Sequence, residues 1–296
     1  MIYFKLNKET FAKANTCRRW LLAGSAALTL SVPAAAQIKV LNPFGAPQGS
    51  VAQLTTTTSS TSYSKPPATK VFSWNGHSWS NDSGQAWNTV TPYAIGLSSS
   101  KIRFEAHDTS YDRGQNDPST KRRSEVSSKD QYHNGVNYWM AFSFQVDWSC
   151  LACQQKLRQG GEIMQVHWPS GASPPLAFRA VPTSTGAAFQ VTTRGDNQGN
   201  ITRASVPLTL GTVHDVVFSF KLGAVGYEQV WLDGKEISNL SNIPVGTNLE
   251  DGYSMRLGPY YGGGMAGNLV AQTYGNIAPF PSSTSLISRI TNRPAW

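Results

Sequence analysis

Short runs in which apolar and polar residues alternate dominate the chain from about Val71 onward. Such runs predict β-strands, because successive side chains of a strand point to opposite faces. Gly, Pro, Asn, Asp and Ser separate them, as expected at turns. We expect strands over Lys101–Ala106, Asn137–Val146, Glu162–Trp168, Leu176–Val181, Ala187–Thr193, His214–Leu222, Glu228–Leu232 and Tyr253–Leu257.

Two of these runs are especially informative. In the run that starts at His214, Val216, Phe218 and Phe220 form an apolar face. The dipeptide Asp233-Gly234 follows the next run and predicts a two-residue hairpin turn, because both residues tolerate positive φ. We find no long amphipathic helix and no internal repeat. The pattern therefore predicts an all-β fold, a concanavalin-like β-jelly roll in which two antiparallel sheets form a sandwich with a concave groove.

The N-terminal region has a different composition. Five basic residues precede an apolar run from Trp20 to Val32, and Ala34-Ala35-Ala36 follows. This order is typical of a cleavable signal peptide over residues 1–36, so we expect a secreted or periplasmic protein. Residues 37–68 are rich in Ser, Thr and Pro and predict a flexible leader, which leaves 69–296 as the folded domain. No later segment reaches the ~20 apolar residues of a membrane-spanning helix.

Charge narrows the range of partners. The 296-residue chain has 25 Lys and Arg against 17 Asp and Glu, a formal net charge of +8. The expected signal removes five basic residues and one acidic residue, which leaves 20 − 16 = +4. The remaining basic residues are scattered without a basic run, so we expect no nucleic-acid partner. A charge of +4 fits both ordinary solubility and a local patch for a polyanion.

Cys17 lies in the expected signal, which leaves Cys150 and Cys153. In an exported protein this spacing favours a local disulfide. A redox role lacks a surrounding β-α-β pattern, and a zinc site lacks two further ligands at suitable spacing.

Three separated motifs carry candidate chemistry: Arg123-Ser124-Glu125, Gln165-Val166-His167, and the stretch from Arg256 to Tyr260. Together they offer guanidinium groups for a carboxylate, an amide donor, an imidazole and a phenol. β-Elimination at a uronic acid needs such a set. The carboxylate must be neutralised while charge develops on it, a base must take the C5 proton, and an acid must protonate the leaving O4.

Each motif also has a structural interpretation. Arg123 and Glu125 fit a simple ion pair on a sheet surface. Gln165 and His167 share one strand face, so His167 fits either a site or a satisfied buried histidine. Tyr260 fits a packing residue with its hydroxyl at the rim.

In the order of several segments, the chain resembles secreted polysaccharide lyases of the heparin lyase I and glucuronan lyase type. More distantly, it is similar to the jelly-roll alginate lyases. The resemblance spans roughly residues 100–262. It rests on the three motifs together with Tyr138–Phe144, Trp168, Pro174-Pro175-Leu176-Ala177 and Val230–Lys235.

This resemblance implies a β-jelly roll, metal-independent chemistry and four catalytic residues. Arg123 resembles the carboxylate-binding Arg, Gln165 the neutralising amide, His167 the general base, and Tyr260 the acid or acid and base. We assign substrate binding to Arg256, His107, Glu125 and Tyr261, with Glu125 orienting Arg123 toward the carboxylate. Arg256 stands where these families usually have Lys, and Tyr261-Gly262-Gly263-Gly264 stands where alginate lyases usually have Gln. The second departure favours the glucuronan lyase side.

Two further expectations concern the segment after the Lys101 run. His107 fits either the groove or a hydrogen bond with Asp108. Asp108, Asp112 and Asp117 offer oxygen ligands for a structural calcium ion, although their spacing forms no recognised calcium loop.

The leading hypothesis is a polysaccharide lyase that cleaves a 4-linked uronic acid polymer and yields 4,5-unsaturated oligosaccharides. We expect a glucuronan-like substrate first and alginate second, no cofactor for the chemistry, and a monomeric protein. The alternatives are a non-catalytic carbohydrate-binding sandwich and a jelly-roll glycoside hydrolase. The hydrolase would need two facing carboxylates, and Glu125 and Glu162 are the nearby candidates.

Overall fold

A computed structural model describes residues 71–81, 95–107, 122–157, 160–168, 173–195, 199–247, 251–262, 269–278 and 285–296. The expected signal peptide and leader lie outside these ranges. In the described ranges the strands are β1 (Val71–Trp74), β2 (His77–Asn81), β3 (Ile95–Leu97), β4 (Lys101–His107), β5 (Arg122–Arg123), β6 (Val126–Tyr132), β7 (Asn137–Trp148), β8 (Gly161–His167), β9 (Leu176–Pro182), β10 (Ala187–Thr193), β11 (Ile201–Leu208), β12 (Val213–Lys221), β13 (Gly223–Leu232), β14 (Lys235–Val245), β15 (Tyr253–Leu257), β16 (Tyr260–Tyr261) and β17 (Leu269–Gly275).

These strands form two large antiparallel sheets. The eight-stranded sheet has the order β1-β2-β6-β15-β8-β9-β10-β11, and the seven-stranded sheet has the order β14-β13-β12-β7-β17-β4-β3. β5 and β16 form a separate two-stranded pair. This architecture confirms the predicted all-β jelly-roll sandwich.

The core lies between the two large sheets and is rich in aromatic rings. Phe178 of the eight-stranded sheet meets Phe218 of the seven-stranded sheet edge to face, with 4.8 Å between ring centroids. Phe189 and Phe144 form a second contact across the sheets, at 5.8 Å. All four rings are completely buried. Full burial of one such side chain contributes about 2 kcal/mol, so these contacts hold the sheets together.

The predicted hairpin is present between β13 and β14. Asp233 and Gly234 have φ values of 53° and 83°, and Leu232 pairs with Lys235 across the turn. The structure also has two short helices, α1 (Leu151–Leu157) and α2 (Ile287–Thr291). None of the helices in the described ranges has the length and apolar character needed to cross a lipid bilayer.

Helix α2 packs on the outer face of the seven-stranded sheet. There Trp139 and Trp231 stack with ring centroids 5.8 Å apart, and Ile290 belongs to the same apolar cluster. Arg289 forms an ion pair with the buried Asp215 at 2.6 Å. The face of β12 that carries Val217 is therefore buried as well.

Cys150 and Cys153 form a disulfide bond where α1 begins. The predicted pairing is therefore present in the structure.

Candidate active site

The central strands of the eight-stranded sheet bring Gln165 and Arg256 side by side. β15 lies between β6 and β8, and Arg256 pairs with Gln165 on β8 and with Ser127 on β6. The neighbouring residues Val166 and Leu257 belong to the core. Because strand side chains alternate, Gln165 and Arg256 lie on the outer face of this sheet.

His167 lies on the same outer face, two residues after Gln165. Its Nδ1 is 2.8 Å from the carbonyl oxygen of Trp168. A carbonyl oxygen only accepts hydrogen bonds, so Nδ1 carries the proton. In the neutral imidazole, Nε2 is then the basic nitrogen, which is the arrangement that a general base needs.

A chain of polar contacts joins Arg123 to Gln165 through Glu125. The Nε2 of Gln165 donates to Oε1 of Glu125, and Nη1 of Arg123 lies 3.8 Å from Oε2 of Glu125. Glu125 is completely buried. Its carboxylate thus orients the amide and the guanidinium. Its burial and its contact with Arg123 fit the orienting role that the sequence suggests for Glu125.

The two-stranded pair β5–β16 places Tyr260 beside Arg123. The two residues pair across the ladder, and the guanidinium carbon of Arg123 lies 5.9 Å from the centroid of the Tyr260 ring. Such a geometry is a cation–π contact. Tyr260 is partly exposed, so its hydroxyl can approach a ligand.

Gly258 makes the approach of these strands possible. Its φ is +120°, and a Cβ at this position would lie 2.1 Å from the carbonyl oxygen of Ser124. The backbone N–H of Ser124 donates to the carbonyl of Pro259 at 3.0 Å. Gly258 therefore allows the segment with Tyr260 to contact the segment with Arg123.

Tyr261 has a different position from the one that we expected. Its ring is completely buried, and a Cβ on Gly161 would lie 2.2 Å from it. Burial also raises the pKa of its phenol well above the usual range. Tyr261 is thus a packing residue, and its burial argues against substrate binding.

His107 is the last residue of β4, and Leu269 is its partner on β17. Both belong to the seven-stranded sheet, whereas Gln165 and Arg256 belong to the other one. The structure does not describe the His107 side chain. Asp108, Asp112 and Asp117 lie outside the described residues. Among the residues that the structure describes, no group of three His, Cys, Asp or Glu side chains has an arrangement that could hold a metal ion.

Sequence reasoning did not identify the pair Glu162 and Arg179 on the outer face of β8 and β9. The two residues are register partners, and Nε of Arg179 lies 3.2 Å from Oε1 of Glu162. Burial raises the pKa of Glu162 to about 7, against the opposing effect of Arg179 and together with the nearby charge of Glu125. An Arg within the otherwise apolar Leu176–Val181 run was the available signal.

These contacts also bear on the hydrolase alternative. Glu125 is bound by Gln165 and Glu162 is paired with Arg179. Both carboxylates are buried and already have partners, which is unlike a pair that faces a scissile bond from two sides.

Comparison with known proteins identifies the family. A family model described as polysaccharide lyase matches residues 72–276. The chain belongs to this polysaccharide lyase family. The resemblance found in the sequence is therefore confirmed, and the protein is a polysaccharide lyase rather than a non-catalytic binding module.

Several solved structures resemble this polysaccharide lyase. The endo-β-1,4-glucuronan lyase of the fungus Trichoderma reesei is 16% identical with a TM-score of 0.47, over 70% of this chain and 88% of that one. An alginate lyase from Klebsiella pneumoniae is 11% identical with a TM-score of 0.46, over 64% and 84%. Alginate lyase A1-II′ is 16% identical with a TM-score of 0.47, over 68% and 94%. No curated protein sequence matches the chain significantly.

Proposed function

We propose that the protein cleaves a 4-linked uronic acid polymer by β-elimination and releases 4,5-unsaturated oligosaccharides. A glucuronan-like polymer is the first candidate and alginate the second. The observation that supports this most is the placement of two arginines around Gln165: Arg256 is its partner across the ladder, and Arg123 contacts Glu125, which accepts from Gln165. Such a cluster suits a carboxylate that gains negative charge during the reaction.

We assign each of these groups one part of the reaction. Gln165, Arg123 and Arg256 stabilise the uronate carboxylate as the enolate-like charge develops. Nε2 of His167 accepts the C5 proton, and the electron pair of that C–H bond becomes the second bond between C4 and C5. The C4–O4 bond breaks, and the hydroxyl of Tyr260 protonates the departing oxygen. Side chains supply the base, the acid and the cations, so we propose that this step uses no cofactor.

We further propose that the protein acts as a monomer after export to the periplasm or the medium. The signal peptide expected in residues 1–36 supports this location.

The direct test is to incubate the purified protein with glucuronan, alginate and heparin and to follow the ultraviolet absorbance of the unsaturated product. We expect absorbance to rise with glucuronan, or with alginate if that is the substrate. Absence of any rise with every polyuronate, from a folded protein, would contradict the proposed reaction. Loss of the signal in the Tyr260→Phe variant would exclude a contaminating lyase.

A further inference from the structure

The Glu162 and Arg179 pair continues the polar outer face of the eight-stranded sheet beyond the proposed catalytic residues. Gln165 on β8 pairs with Ala177 on β9, and Arg179 lies two residues further along β9 on the same face. From strand geometry, the Cα atoms of Gln165 and Arg179 are separated by about 8 Å. One carboxylate at Gln165 therefore leaves room for a second one at Arg179.

Arg179 retains capacity to bind an anion. Its Nη2 donates to the carbonyl of Gly160 at 3.2 Å, and its Nε faces Glu162. The side chain is 28% exposed, and in the described part of the chain no hydrogen bond uses Nη1. These contacts fix the plane of the guanidinium and leave one edge for a ligand.

Glu162 is an unusual partner for a purely structural ion pair. Its side chain is 11% exposed, and within the described residues its buried Oε2 has no hydrogen-bond partner. Arg179 on β9, Glu125 before β6 and Tyr261 on β16 are the charged or titratable groups that influence it. Burial raises the pKa of this carboxyl to about 7, against the opposing effect of Arg179.

We propose that Arg179, oriented by Glu162, binds the carboxylate of a second uronic acid residue, next to the one at Gln165 and Arg256. This inference rests on the proposed function and adds Arg179 to the residues that hold the substrate.

Binding measurements test this without relying on turnover. Removal of Arg179 alone would leave Glu162 buried without its partner, so the informative variant replaces both, Glu162→Gln with Arg179→Gln. It is made in a His167→Ala background, and calorimetry measures the affinity for saturated tetraglucuronate and tetramannuronate. The matched control is Arg103→Gln with Glu105→Gln, since these residues form a similar pair at 2.9 Å on the seven-stranded sheet.

We expect the Glu162/Arg179 variant to bind the preferred tetramer about tenfold more weakly, and the Arg103/Glu105 control to match its parent. The difference should disappear with tetramers whose internal carboxyl groups have been reduced to alcohols. The Arg179→Lys variant, in the same His167→Ala background, should bind more tightly than the Glu162/Arg179 variant, because it keeps the positive charge. Unchanged affinity in the Glu162/Arg179 variant, or no binding of either tetramer by the parent, would overturn the second carboxylate site.

The outcomes separate this inference from the proposed function. If the protein with His167 intact forms no unsaturated product while tetramer binding still depends on Arg179, the elimination reaction is wrong and the binding site stands. If product forms and Arg179 has no effect on affinity, the reaction stands and the second site is wrong.

Discussion

Nδ1 of His167 lies 2.8 Å from the carbonyl oxygen of Trp168, its neighbour in the chain. A backbone acceptor at this distance holds the imidazole in one tautomer with Nε2 as the basic nitrogen. The backbone itself therefore prepares His167 for the role of a base.

Replacement of His167 by Ala removes this base. We expect kcat to fall by about 10²- to 10⁴-fold, because a general base contributes that much to a proton transfer. The affinity for a saturated oligouronate should change little, since the carboxylate is held by the guanidinium and amide groups. Steady-state kinetics and calorimetry measure the two effects, and a variant with the parent kcat would show that another group takes the proton.

Loss of the hydroxyl group should affect turnover at Tyr260 but not at its neighbour Tyr261. Tyr260→Phe should lower kcat by at least about 10²-fold, because it removes the proposed acid. Tyr261→Phe should leave kcat and KM nearly unchanged, because the Tyr261 ring is completely buried and packs against Gly161. A large loss of turnover in Tyr261→Phe with unchanged thermal stability would show that the Tyr261 hydroxyl has a functional role.

Glu125→Gln tests the carboxylate that joins Arg123 to Gln165. We expect kcat/KM to fall by about 10- to 100-fold, because the amide has no negative charge for Arg123 and only one acceptor oxygen for the two groups. The control is Glu236→Gln, since Glu236 also accepts from an amide, that of Gln229 at 2.8 Å, but is exposed on β14. Equal kcat/KM values for the two variants would show that Glu125 has no role in catalysis or substrate binding.

The raised pKa of Glu162 makes stability depend on pH. Its pKa rises from 4.5 to about 7 in the folded chain, so the native state holds this proton more tightly than the unfolded state. Unfolding then releases a proton between these two pH values, and the free energy of unfolding falls as pH rises through this window. The contribution is present below pH 4.5 and lost above about pH 7, with an upper size of about 3 kcal/mol.

Urea denaturation at pH 5 and pH 8 measures this contribution when the parent is compared with Glu162→Gln. The variant lacks the titrating group, so its stability relative to the parent should be higher at pH 8 than at pH 5. An identical pH dependence of the two proteins would contradict the raised pKa.

The disulfide between Cys150 and Cys153 should stabilise the chain modestly. It closes a loop of four residues, for which chain entropy predicts about 2 kcal/mol. We expect the Cys150→Ser/Cys153→Ser double variant to unfold at a lower Tm and to keep the parent kcat. A reductant should lower the Tm of the parent but not that of the variant, and a large loss of kcat would indicate a role in the site.

Much of this fold was predictable because the sandwich has one buried face on each sheet. The alternation in Tyr253–Leu257 reappears as buried Tyr253, Met255 and Leu257 with partly exposed residues between them. The shared face of Gln165 and His167 follows from the same alternation. β11 was not predicted because it is an edge strand that is largely exposed, and only Ala204, Val206 and Leu208 along it pack toward the core.

Contacts that depend on distant segments were not predictable from local pattern. The sequence suggested the Arg123 and Glu125 pair, but the contact of Gln165 with Glu125 joins residues 40 positions apart and has no local signal. Tyr260 reaches Arg123 only because the chain turns at Gly258 and pairs β16 with β5. The Glu162 and Arg179 pair depends on the register of β8 and β9, where a bulge follows Glu162.

Tryptophan fluorescence should report the docking of helix α2. The Trp139 and Trp231 pair lies under the helix on the seven-stranded sheet, whereas the proposed chemistry uses the other sheet. Detachment of the helix, for example after Arg289→Ala, would expose both indole rings to water and shift their fluorescence. Tryptophan fluorescence can therefore report whether helix α2 is docked while the enzyme turns over its polymer.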